Sequence, residues 1–229
     1  MNIIRKKTPL FPRHLIGCQL FLRQAKTAER AENRTQYEAY VMATVISAFS
    51  FLDGEINDFF KTASDLDGIS YGDQGSDFGF PFDIKARFHY RMQDEEKRKG
   101  LRRKNPLKTA QLGLKIAGKE KFDEGQGIYQ KVDIIRRLRN EFVHHTPELR
   151  PAGGSLVDYD LNDALERRGI QESPLASPGD SEFPDKKLSY HCALYAVQNC
   201  IKFSNQFRDK VSWDLTNQEL RDELLKLDP

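Results

Sequence analysis

The spacing of apolar residues along this chain is helical almost throughout. Met42, Val45, Phe49, Leu52, Ile56 and Phe60 recur three or four positions apart, the period of one helix face. The surrounding pattern predicts a helix over about 24–62, polar at first (Thr27–Gln36) and then strongly amphipathic. Helical structure is expected again over about 83–118. Ile84, Phe88 and Met92 share a face in its first part, and Asn105-Pro106 opens its second, with proline at the first helical position and Gly118 as C-cap. A helix over about 124–145 is stopped by Thr146-Pro147 and Pro151. The last long helix covers about 187–211, and a short one over about 217–226 follows it. Pro9 and Pro12 bracket an irregular start, and residues 64–81, rich in Gly and Asp, read as a loop. Residues 146–186 are largely loop, a surface excursion with one short helical pattern at Leu161–Arg168. Strand-like alternation is nearly absent. The expected fold is all-α, a single helical domain over 1–229 with long helices packed as a bundle.

Composition narrows the partners. The charge of +2 spread over 229 residues produces no global field, so any nucleic-acid contact must come from a local patch. No stretch approaches the roughly 18 apolar residues of a transmembrane helix, and the basic N-terminus lacks an apolar signal core. The cysteines Cys18, Cys192 and Cys200 match no zinc or redox spacing and read as buried thiols in a reducing cytoplasm. No carboxylates or histidines cluster at metal-ligand spacing, so neither a metal nor another cofactor is expected. Trp213, the lone tryptophan, is expected to pack the C-terminal helices.

Candidate chemistry concentrates in Arg139-Asn140-Glu141-Phe142-Val143-His144-His145. Arginine grips phosphate and histidine moves protons near neutral pH. With Arg139 set at zero on a helical wheel, Ile128, Val132, Ile135, Phe142 and Val143 fall within roughly 60° of it. Asn140 and His144 project together on the adjoining flank, at about 100° and 140°, with Arg136 between them and Arg139. An arginine inside an apolar stripe is costly unless it snorkels or is paired. Asp53 lies about 40° from Phe49, in the apolar stripe of the first long helix, with Asn57 one turn on and Glu55 pointing away. The two helices are therefore expected to meet, with Asp53 orienting Arg139 and Asn57 nearby.

These residues resemble the motifs of the HEPN superfamily, whose members are helical and often ribonucleases. The family pattern of Arg, a polar residue, a few variable positions and His is matched by Arg139, Asn140 and His144. The family's earlier acidic residue, followed four positions later by Asn, is matched by Asp53 and Asn57. The resemblance covers roughly 38–62, 124–148 and 187–208, and His145 leaves the family's histidine open by one position. It implies a HEPN-like bundle and metal-independent RNA cleavage. It also implies a homodimer with the motif helices near the interface, and a toxin or defence effector held by an antitoxin or other regulatory protein.

The chemistry is self-consistent. RNA carries its own nucleophile, the 2′-hydroxyl, and a histidine can take its proton or protonate the leaving oxygen. An arginine can stabilise charge on the phosphoryl oxygens, and Asn140 can hold the phosphate or fix the imidazole. The products would be a 2′,3′-cyclic phosphate and a 5′-hydroxyl. The plainer alternative is a helix end whose cations complement its dipole, and a family member can be a non-catalytic RNA- or protein-binding module. A second basic run, Lys97–Lys104, with Arg102, Arg103 and Lys104 as candidate RNA contacts beside Arg136, could track a phosphate backbone or be a solvated linker.

Overall fold

The structure, a computed structural model, describes residues 10–64, 105–144, 156–180, 183–213 and 218–228. Among them are seven α-helices and no strand: α1 Phe11–Arg30, α2 Arg34–Ser64, α3 Pro106–Ala117, α4 Gly127–His144, α5 Leu156–Glu166, α6 Tyr190–Val211 and α7 Gln218–Leu225. A 3-10 turn, Asp185–Lys187, precedes α6. The chain is all-α, as its periodicity predicts.

Two boundaries differ from expectation. The helix predicted over about 24–62 is two helices, and the first begins at Phe11 rather than after an irregular start. Pro12 is tolerated because the amides of a first helical turn have no carbonyl to meet. The break falls at Ala31–Asn33, where Glu32 takes a left-handed φ of 50° and Asn33 Oδ1 accepts the Gln36 amide at 3.1 Å. α3 matches its expected limits: Asn105 Oδ1 accepts the Lys108 amide at 2.9 Å, and Gly118 closes it at φ 70°. The earlier part of the predicted 83–118 segment lies outside the described residues.

α2 is the central helix, packing against α1, α3, α4 and α6. Its length and apolarity from Arg34 to Ala63 would suffice, by composition alone, to cross a membrane, contrary to the expectation that no segment would. Half of that window is buried within the bundle, the pattern of a core helix. One apolar face is the predicted stripe. The other runs through Tyr37, Thr44, Ala48, Phe51, Glu55 and Phe59, each 0–1% exposed. Glu55 therefore does not point away into solvent. A wheel drawn for a single buried face misses it because α2 is covered on both sides.

Glu55 sits in a fully buried ionic cluster. Arg208 of α6 donates to its Oε1 from Nε at 2.6 Å, and its Nη2 lies 2.5 Å from the same oxygen as an ion pair. Arg221 of α7 donates to the same oxygen, and the Ser204 hydroxyl donates to Oε2. Arg221 Nη1 further donates to Ser204 Oγ at 2.8 Å and Asn205 Oδ1 at 2.7 Å. Trp213 covers the Arg208 guanidinium at 3.8 Å and lies 5.3 Å from the Phe59 ring, so it packs α2 and α6 together. Phe51 lies 5.0 Å from the Arg221 guanidinium.

The expected surface excursion over 146–186 is not all surface. Leu161, Leu165, Ile170 and Phe183 are buried and belong to the same contiguous core as the long helices. α5 packs on α4.

Candidate functional site

α4 meets α2 and α6 through Val132, Ile135 and Leu138, each at 0% exposure, with Ile134 at 4%. Leu138 and Ile134 lie about 100° and 140° round the wheel from Arg139, on the side of Ile135. The buried face is thus centred on those residues. Arg139 stands at its border, half-buried, and Val143 is exposed. The wheel drawn from Ile128, Val132, Phe142 and Val143 placed the arginine too deep because it left out Ile134 and Leu138.

The Arg139 charge acts on Asp53 across the packed α2 and α4. Burial raises the Asp53 carboxyl above its ordinary range, opposed by a hydrogen bond from Asn57 and by the Arg139 charge. Asn57 Nδ2 donates to Asp53 Oδ1 at 3.2 Å, one turn apart on α2. Arg139 Nη1 donates to Asn140 Oδ1 at 3.2 Å. Of the expected arrangement, the structure has Asn57 bonded to Asp53 and the Arg139 charge acting on that carboxylate, with each charge hydrogen-bonded to its own amide neighbour. Arg139 Nε is buried and has no hydrogen-bond partner among the described residues. That N–H is closed to an incoming ligand in this arrangement, so an anion would be met by the terminal nitrogens of the half-buried guanidinium.

The remaining candidates divide. Arg136 is partly exposed and donates to Asp133 Oδ1 at 2.7 Å, an i,i+3 pair that offsets part of its charge. His144 is the last residue of α4. Its side chain, all of His145, and Arg102, Arg103 and Lys104 lie outside the described residues. Among the described residues no three of His, Cys, Asp and Glu are grouped as ligands for a metal ion. Cys18, Cys192 and Cys200 are free and buried, and burial pushes the Cys192 thiol up to about 12.

Sequence reasoning missed the Glu55–Arg208–Arg221 cluster, which holds the face of α2 opposite Asp53. A signal was present. Arg208 falls about 80° from Cys200 on the α6 wheel, within the stripe that includes Val197, Ser204 and Val211, so it is an arginine on an apolar face like Arg139.

Set against protein-family models, curated proteins and solved structures, the chain finds no match in any of the three.

Proposed function

We propose that this chain is a metal-independent endoribonuclease of HEPN type. The observation that carries the reading is the action of the Arg139 charge on Asp53, which Asn57 bonds, with Arg139 beside Asn140 and about a turn and a half before His144. In this reading Asp53 sets the guanidinium, whose terminal N–H groups meet a non-bridging phosphate oxygen as charge builds there. Asn140 holds Nη1 of Arg139 and leaves its amide N–H free to orient phosphate or imidazole. His144, or His145 beside it, takes the 2′-hydroxyl proton, and the 2′-oxygen displaces the 5′-oxygen to leave a 2′,3′-cyclic phosphate. The proton for that leaving oxygen comes from a second histidine, supplied by a two-fold partner that brings two α4 ends together. The exposed Val143 gives that end an apolar contact. The substrate is RNA, Arg136 and the 97–104 run extend the phosphate track, and the setting is cytoplasmic, with an antitoxin or other regulator holding a toxin or defence effector in check.

The test is incubation of the full chain with RNA in EDTA, followed by end-group analysis. Cleavage to cyclic-phosphate ends is expected, with Arg139→Ala and His144→Ala each losing at least ~10²-fold. Cleavage that requires a divalent ion, or that survives both substitutions, removes the reading. RNA binding without cleavage in the unsubstituted chain assigns the site to a non-catalytic module of the same kind.

A further inference from the structure

The large apolar side chains that this bundle leaves in solvent are unevenly placed. Among the described residues they are Leu10, Ile16, Leu20, Val143 and Leu227, at 63, 57, 53, 43 and 37% exposure. Four of these five lie at the start of α1, on α1 itself, or just after α7. α1 and α7 pack together, with Gln19 Nε2 donating to Glu223 Oε2 at 2.8 Å. Gln198 Nε2 donates to the Leu227 carbonyl at 2.8 Å, which fixes the backbone that presents this leucine. Ile16, Leu20 and Arg23 lie about 60°, 100° and 40° beyond Gln19 on the α1 wheel, so the exposed apolar row runs along the flank next to α7. Single exposed leucines are ordinary, but a row on one flank is not.

The charges on the two helices are segregated by sign. α1 exposes Arg13, Arg23, Lys26 and Arg30, with Glu29 half-buried among them. The α7 segment exposes Glu219, Glu223 and Asp228, with Asp222 half-buried, against a single exposed cation, Lys226; its arginine, Arg221, is turned into the core. One face thus holds a basic helix, on which Ile16 and Leu20 lie between Arg23 and Arg13, beside an acidic one. A two-fold rotation lays each basic helix, with its two apolar side chains, against the acidic helix of the other copy, the self-complementarity that an isologous contact needs. A foreign partner would have to supply both signs in the same order.

We propose that the α1–α7 face is a self-association surface, occupied by the same face of a second copy of this chain. This surface is separate from the α4 end and does not rest on the ribonuclease reading. Leu20 and Ile16 form its apolar centre, and Arg13 and Arg23 meet Glu219 and Glu223 of the other copy.

Sedimentation equilibrium of the full chain at micromolar concentration tests it. Association is expected, and Leu20→Glu is expected to weaken it at least ~10-fold while leaving circular dichroism and the melting temperature unchanged, since the side chain is exposed. An Arg13→Glu/Arg23→Glu chain and a Glu219→Lys/Glu223→Lys chain are each expected to lose, alone, the association that Leu20→Glu weakens, and to regain it when mixed. A monomeric unsubstituted chain overturns the proposal and leaves the face to a different occupant. An oligomer unaffected by Leu20→Glu but halved in mass by Val143→Glu overturns it in favour of the α4 end. Failure of the mixed chains to pair overturns the assigned charge contacts.

Discussion

Burial raises the Asp53 carboxyl, and Asn57 and Arg139 only partly offset it. The folded state therefore holds the Asp53 proton more tightly than the unfolded chain does. Stability falls as pH rises from the ordinary carboxyl value of 3.8 through the raised one, and the deficit persists above it. Asp53→Asn, neutral and nearly isosteric, is expected to melt higher than the unsubstituted chain at neutral pH and to converge with it below the ordinary carboxyl range. Thermal melts across that span check the sign, and a lower melting temperature at neutral pH contradicts it. Glu55 presents the opposite case. Removing it takes away the carboxylate that Arg208 and Arg221 share in a dry interior, so Glu55→Ala is expected to cost about 3–5 kcal/mol in urea unfolding. A solvent-facing glutamate would cost within about 0.5 kcal/mol. Arg139 and Asp53 were legible in the sequence because each breaks an apolar stripe. Glu55 was not, because its own stripe ran through Tyr37, Ala48, Phe51 and Phe59 on a face that the single-sided wheel assigned to water.

At the scale of elements, the N-terminus of α6 is secured twice. Ser189 Oγ accepts the Cys192 amide at 3.1 Å, and the Tyr37 hydroxyl, reaching from α2, accepts the Tyr190 amide at 2.6 Å. Burial pushes that phenol up to about 12, so it stays protonated through the neutral range. Ser189→Ala is expected to cost about 1 kcal/mol, as caps do. Tyr37→Phe leaves a buried amide unmet and is expected to cost about 1–3 kcal/mol; chemical denaturation of the two variants ranks them. The Ser189 cap starts α6 three residues after the expected start at about 187. The bond from Tyr37 spans 153 positions, and no local pattern encodes it. Periodicity also ran α1 into α2, because the polar stretch Thr27–Gln36 continues the helical spacing and the only breaks are the φ of Glu32 and the Asn33 cap.

For the molecule as a whole, Cys18, Cys192 and Cys200 are three internal reporters at 0% exposure on α1 and α6. Burial raises all three thiols, so little thiolate forms near neutral pH. Alkylation of the native chain is expected to be slow at each and to accelerate together in denaturant at the global unfolding midpoint. Fast labelling of any one in native buffer would mark a local opening of its helix. The all-α class was readable because α2, α3, α4 and α6 each carry unbroken three- and four-residue spacing. The contribution of residues 156–188 to the core was not, since Leu161, Leu165, Ile170 and Phe183 are too widely spaced among prolines and glycines to form one stripe.

Asp53 and Glu55 are two residues apart, so they leave α2 about 200° from each other. The ion cluster at Glu55 consequently sets the clocking of α2 about its own axis. With Glu55 gripped by Arg208 and Arg221, that face of the helix is held to α6 and α7, and Asp53 leaves on the other side, where the Arg139 charge acts on it. The alignment of the candidate site is in this sense written at the far C-terminal end of the described chain, by residues that touch none of its members.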